Sequence, residues 1–105
     1  MIRVLFTCSA GISTALLVSK VKALATTKGI DLEIEALSEA ETLEHALNID
    51  VLLMGPQVRH LEPEMKTLVG ERNIQVAVVD MRAYGTMNAQ AVLDQIQSLH
   101  AKNPQ

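Results

Sequence analysis

Hydrophobic positions along this chain switch repeatedly between a strand-like and a helix-like period, and the switches mark its elements. Ile2 to Thr7 is apolar enough to be covered on both faces, as a central parallel strand is. Leu17, Val21 and Leu24 follow at helical spacing, and Gly29 is placed as a C-cap, so a first helix is expected from about Thr14 to Lys28. Asp31 to Leu37 alternates. Leu32, Ile34 and Ala36 share one side and Asp31, Glu33 and Glu35 the other, the pattern of a half-exposed edge strand. Ser38 with Glu41 has capping-box spacing and opens a short helix through Leu43 and Leu47.

Asp50 to Met54 is a third strand, broken by Gly55-Pro56, after which a loop is expected because proline has no N–H for a ladder. Leu61, Met65, Leu68 and Val69 make the next helical stripe, starting near Pro63. Gln75 to Val79 is a fourth strand. The segment Asp80 to Asn88 connects it to a last helix carrying Ala89, Val92, Leu93, Ile96 and Leu99, and Lys102 to Gln105 is read as a frayed tail.

The order is βαβαβαβα, without repeats or linkers. Right-handed crossovers then place helices on both faces of a parallel sheet. The expected fold is a three-layer α/β/α sandwich with a four-stranded parallel sheet in the order 2-1-3-4, one domain over residues 1–105. In that order the first and third strands flank the topological switch point, where ligands bind at the carboxyl ends of strands. Cys8 and Gly55-Pro56-Gln57 both fall there.

Composition narrows the function. A net charge of −3 over 105 residues carries no electrostatic footprint for nucleic acid or an anionic membrane. No apolar run approaches the length of a membrane span, and no export signal opens the chain, so a cytoplasmic protein is expected. One cysteine cannot close an internal disulfide and fits a reactive thiol in a reducing compartment. His45, His60 and His100 show no metal-ligand spacing and read as surface residues, and no cofactor is implied. Nothing in the pattern suggests a stable homo-oligomer.

The chemistry concentrates in Cys8-Ser9-Ala10-Gly11-Ile12-Ser13-Thr14, which joins the first strand to the first helix. A sharp turn there leaves several N–H groups without intrahelical partners, and together with the helix dipole they attract an anion. That anion is either a thiolate, the nucleophilic form of cysteine, or a phosphoryl group carried on it. Gly11 lets the backbone approach closely, Ser9, Ser13 and Thr14 add hydroxyls, and Ala10 and Ile12 contribute amides. On the residues alone, Cys8 reads equally as a small buried core residue and Ser13 or Thr14 as a plain N-cap.

The stretches V-L-F-T-C-S-A-G-I-S-T-A-L-L-V, V-L-L-M-G-P-Q-V and V-V-D-M-R-A-Y-G resemble the enzyme IIB component of the bacterial sugar phosphotransferase system, in its lactose and cellobiose/chitobiose branch. The resemblance covers nearly the whole chain. It implies a phosphotransferase in which Cys8 accepts a phosphoryl group from a phosphohistidine of enzyme IIA. Cys8 then passes it to a disaccharide of the cellobiose, chitobiose or lactose class held by membrane enzyme IIC. It also implies that Ser9, Ala10, Gly11, Ile12, Ser13 and Thr14 form a phosphate-binding loop, similar in shape to that of low-molecular-weight tyrosine phosphatases.

Those phosphatases end the loop in an arginine whose fork grips phosphate. Here that position is Thr14. Without the clamp the loop stabilises a phosphoryl dianion less strongly, which suits a carrier better than a hydrolase. Two rivals are a thiol phosphatase or arsenate reductase, with Asp80 as general acid and Arg82 as clamp, and a non-enzymatic anion-binding module. Asp80 and Arg82 follow the fourth strand, one strand removed from Cys8, which counts against the first.

Two further residues belong to the same edge. Gln57 reads either as an amide donor near the phosphoryl group or as an ordinary loop residue, and Tyr84 either as core packing or as a partner contact. Met54, Met65, Met81 and Met87 read as core filler or as soft contacts, and an apolar rim including Ile12 is a candidate docking surface. Glu33, Glu35, Glu39, Glu41 and Glu44 read as a solvated face.

Overall fold

In a computed structural model, residues 1–8, 12–44, 48–70 and 72–102 are described, with only the backbone at residues 12, 13, 43 and 44. The strands are β1 (Ile2–Cys8), β2 (Leu32–Ser38), β3 (Val51–Met54) and β4 (Gln75–Val78). The helices are α1 (Ile12–Thr27), α2 (Glu39–Glu44), α3 (Glu62–Val69), α4 (Met81–Gly85) and α5 (Ala89–Ala101). A 3-10 turn occupies Pro56–Leu61. All three strand pairs are parallel and the order is β2-β1-β3-β4, as the hydrophobic pattern implies.

Strand alternation divides the core in two. Val4 and Phe6 of β1 stand in register with Ile34 and Ala36 of β2 and Val51 and Leu53 of β3. That face is covered by Leu17, Val21 and Ala25 of α1 and by Val92, Leu93 and Ile96 of α5. Leu5, Leu52 and Met54 face the other way and meet Val58, Leu61, Met65 and Val69 from the 3-10 turn and α3. Both faces of β1 and β3 are therefore closed, which explains why their sequences are apolar runs with no alternation.

The caps follow from local chemistry. Gly29, at φ 70°, ends α1 in a Schellman motif: its N–H donates to Thr26 O at 3.1 Å and the Ile30 N–H to Ala25 O at 2.8 Å. Ser38 and Glu41 make a reciprocal capping box at α2, the Glu41 N–H donating to Ser38 Oγ at 3.2 Å and the Ser38 N–H to Glu41 Oε1 at 3.1 Å. On the outer edge of the sheet, Gln95 Nε2 of α5 donates to the Val78 carbonyl of β4 at 3.1 Å.

Several boundaries differ from the pattern-based expectation. Helix α1 begins at Ile12, two residues earlier than Thr14. The loop expected after Gly55-Pro56 is a 3-10 turn: proline with its fixed φ starts a helical turn as readily as it stops a strand. The connection between β4 and α5 contains α4, whose N-cap is Asp80. The expected extension of α2 through Leu47 and the tail beyond Lys102 fall outside the described residues, in part or whole.

Candidate functional site

Strand β1 delivers Cys8 to the carboxyl edge of the sheet, and α1 starts only four positions later. The thiol is 5% exposed, with Sγ 3.9 Å from the Leu37 carbonyl of the neighbouring strand β2. Ser9, Ala10 and Gly11, expected to supply loop amides, lie outside the described residues, as do the side chains of Ile12 and Ser13. Thr14 is described and is fully buried.

The second expected loop arrives where the topology puts it. The Gly55 N–H donates to the Thr7 carbonyl at 2.9 Å, fastening the exit of β3 to the last turn of the ladder before Cys8. A Cβ on Gly55 would lie 2.7 Å from Gln57 Oε1 and 3.7 Å from both Phe6 Cε1 and Tyr84 Cε2. Glycine therefore lets the exposed Gln57 fold back over its own turn while two aromatic rings close on the other side. Phe6 and Tyr84 themselves pack tilted, with centroids 6.4 Å apart and planes at 44°.

Buried polar side chains identify this end of the molecule most directly. Among the described residues they are Thr7, Thr14 and Thr42, and each makes a hydroxyl-to-hydroxyl contact at the carboxyl edge. Thr7 Oγ1 and Thr42 Oγ1 are 2.8 Å apart, and Thr42 also donates to the Ser38 carbonyl at 2.8 Å. A hydroxyl has one proton. Thr42 directs its proton to Ser38, so Thr7 is the donor in the Thr7–Thr42 bond. On the opposite face of the sheet, Thr14 Oγ1 lies 2.6 Å from Tyr84 Oη.

These contacts revise the expectations for individual residues. Tyr84 is both a packing residue and a polar contact, because α4 turns the chain back across the end of β3 toward α1. Its position after β4 therefore does not separate it from the Cys8 loop. Asp80, the acid of the rival reading, is the cap of α4: its Oδ2 accepts the Ala83 N–H at 3.0 Å. Arg82 is exposed in the last turn of that helix.

Thr7 and Thr42 were not singled out by sequence. The available signal was a threonine inside the otherwise apolar run V-L-F-T-C, where a buried hydroxyl demands a partner.

A cleft of about 440 Å³ opens beside Tyr84, lined also by Gln57, Arg59, His60 and Met81. A larger one, about 720 Å³, lies between Arg3, Lys22, Glu33 and Ile49, and among the described residues its lining includes neither Cys8 nor Thr14. The smaller cleft adjoins Tyr84 and the β3 exit turn. Met81 is 62% exposed and Leu16, one turn into α1, is 47% exposed. Met54 and Met65 are fully buried core, and Met87 packs half-buried against the first core.

His60 is exposed in the smaller cleft. His45 is outside the described residues, and His100 is half-buried on α5, contrary to its expected surface placement. Among the described residues no group of three or more His, Cys, Asp or Glu side chains is placed to hold a metal ion. Likewise, among them no helix is long and apolar enough to cross a membrane.

Comparison with known proteins places these features in a family. Residues 3–95 match the family model described as "PTS system, Lactose/Cellobiose specific IIB subunit". The oligo-beta-mannoside-specific EIIB component of Bacillus subtilis is 38% identical over 97 residues, covering 92% of this chain and 94% of that protein. The cellobiose-specific EIIB component of Lactococcus lactis subsp. lactis is 37% identical over 98 residues, covering 88% and 90%.

Among solved structures, the cellobiose-specific IIB component of Borrelia burgdorferi superposes with a TM-score of 0.78 at 29% identity, covering 97% of this chain and 94% of that one. The lactose-specific IIB domain of Streptococcus pneumoniae, at 18% identity, shares the fold with a TM-score of 0.79, covering 99% and 98%. A parallel sheet in the order β2-β1-β3-β4, with a lone cysteine at the end of its first strand and relatives matched along nearly their full length, leads to one assignment: the chain belongs to the lactose/cellobiose-specific IIB subunits of the sugar phosphotransferase system.

Proposed function

We propose that this protein is a cytoplasmic phosphoryl carrier and that Cys8 is the residue that carries the group. The observation behind this reading is the placement of the single cysteine at the carboxyl end of the central strand, directly ahead of α1, with the β3 exit loop fastened beside it.

The Cys8 thiolate attacks the phosphorus of a phosphohistidine on enzyme IIA. An S–P bond forms, the P–N bond breaks, and the imidazole nitrogen keeps the electron pair. In the second step a sugar hydroxyl held by membrane enzyme IIC attacks the phosphorus. An O–P bond forms, the S–P bond breaks, the thiolate is regenerated and the hydroxyl proton leaves to base.

Both steps need positioning and donors for the phosphoryl oxygens more than covalent help. The amides of Ser9 to Thr14 and the hydroxyls of Ser9, Ser13 and Thr14 supply those donors. Thr14 at the clamp position keeps the loop free of full positive charge, so the phosphocysteine is not drawn toward hydrolysis.

The relative named for cellobiose supports a disaccharide as the final acceptor, and those named for oligo-beta-mannoside and galactose support a sugar acceptor more broadly. Leu16, one turn into α1, and Met81, at the start of α4, are both exposed, and the partners dock in turn over a rim that includes them. The competing phosphatase reading relies on Asp80 as its acid, and Oδ2 of that carboxylate is taken up in capping α4.

The test is intact-mass spectrometry after incubation with phosphoenolpyruvate, the general phosphotransferase proteins and an enzyme IIA. A single phosphoryl adduct, absent from Cys8→Ser and discharged by sugar plus enzyme IIC membranes, is the expected result. Failure to form the adduct with several enzyme IIA proteins, together with steady release of phosphate from an aryl phosphate, overturns the proposal.

A further inference from the structure

The bond between Thr14 and Tyr84 joins residues 70 positions apart and is not required by packing alone. Thr14 is the third residue of α1, at the end of the Cys8 loop, and is fully buried. Thr27, Thr67 and Thr86 each give their hydroxyl proton to the carbonyl four residues earlier in the chain, the usual helical habit. Thr14 has a phenol 2.6 Å away.

Of the two hydroxyls the phenol is the more acidic and so the better donor. If Tyr84 donates, Thr14 Oγ1 is the acceptor and its own proton is left to point elsewhere. The tyrosine ring is held in place for this, wedged against Phe6 and Gly55 on a helix whose start is fixed by the Asp80 cap. Thr14 is fully buried, so solvent does not compete for its side of the pair.

We infer that Tyr84 is a positioning residue for the phosphoryl site: it donates to Thr14 Oγ1 and thereby aims the Thr14 proton at the oxygens of the group on Cys8. The two neutral hydroxyls occupy the role of a guanidinium without its charge. They orient one phosphoryl oxygen yet leave the group transferable. This inference rests on the carrier reading and adds to it the residue that orients the last donor of the loop.

The experiment uses the full chain phosphorylated through enzyme IIA, as wild type, Tyr84→Phe, Thr14→Val, Thr14→Ser and the Tyr84→Phe/Thr14→Val double variant. Tyr84→Phe keeps the ring against Phe6, and Thr14→Ser keeps the hydroxyl that Thr14→Val removes. One ordinary hydrogen bond sets the expected scale: transfer from enzyme IIA slows about five- to tenfold in Tyr84→Phe and in Thr14→Val.

The double variant is no slower than Thr14→Val, and Thr14→Ser recovers most of the rate. Phosphorus NMR of the phosphorylated protein supplies a readout that a packing role would not move. Losing a donor to the dianion raises the midpoint of phosphoryl ionisation, by about 0.7 to 1 pH unit for that fold-change.

Wild-type rate and midpoint in Tyr84→Phe overturn the inference while leaving the carrier reading intact. Effects of Tyr84→Phe and Thr14→Val that multiply in the double variant overturn it as well. Absence of any adduct on wild type removes the carrier reading itself.

Discussion

The two threonines behind Cys8 make an asymmetric pair whose energetics follow from which one donates. Thr7 and Thr42 are both fully buried, Thr7 donates to Thr42, and Thr42 donates onward to the Ser38 carbonyl. Thr7→Val removes the first donor but leaves the Thr42 proton with its acceptor, so the loss is that of one ordinary hydrogen bond, about 1 kcal/mol. Thr42→Val strands the Thr7 proton in a place without water and removes the link to Ser38, which costs about 2 to 3 kcal/mol.

In the double variant the stranded proton is gone as well. Its cost falls below the sum of the single changes by about 1 kcal/mol, the coupling expected of residues in direct contact. Urea unfolding with a constant slope measures all three, and each kcal/mol moves the thermal midpoint by about 4–8 °C in a domain of this size. A Thr7→Val change that costs more than Thr42→Val, or strict additivity, refutes the assigned direction of donation.

Four further outcomes follow from the same geometry. Cys8→Ser stays within about 1 kcal/mol of wild type in urea yet gains no phosphoryl mass, since a hydroxyl fits the space but is a far weaker nucleophile than a thiolate. Gly55 has an ordinary φ of −66°, so Gly55→Ala displaces only the end of Gln57 and barely changes stability. Gly55→Val presses toward Phe6 and Tyr84 and costs about 1–3 kcal/mol by the same unfolding assay.

Asp80→Ala loses the α4 cap, costs about 1 kcal/mol and slows transfer by loosening Tyr84, whereas Asp80→Asn restores both; an Asn variant as slow as Ala indicates acid chemistry instead. The Ser38 backbone and side-chain hydrogen bonds hold the Glu41 carboxyl below its ordinary value of 4.5. The stability it adds is therefore full above 4.5 and is lost as pH falls through the lower folded value. A Glu41→Gln comparison across that window, by urea midpoint, shows the difference closing toward acid.

Most of the architecture was legible because the sheet interior is written in apolar runs and its rim in alternation. Val4 to Phe6 and Val51 to Met54 are buried on both faces, and no competing element explains such runs. The capping box at Ser38 and the glycine stop at Gly29 were legible for the same reason: each is a local rule satisfied by residues next to it.

What escaped was short or distant. Helix α4 has five residues, too few to display a period, and its only sequence signal is an aspartate three positions ahead of Ala83. The 3-10 turn hid behind Gly-Pro, although Val58 and Leu61 are spaced for it and both are buried. The Thr14–Tyr84 contact needs the strand order, the α4 turn and the ring packing all at once, so no local reading reaches it.

The side-chain bond from Gln95 to the Val78 carbonyl has a consequence for how the molecule keeps company with others. An unpaired strand edge is a template on which a foreign chain can polymerise. At one flank the edge strand is only four residues long and one of its outward carbonyls is already occupied from within. At the other flank, β2 carries Glu33 and Glu35, both exposed, whose charges repel an approaching strand. Both flanks of the sheet thus discourage capture of the molecule along its sides.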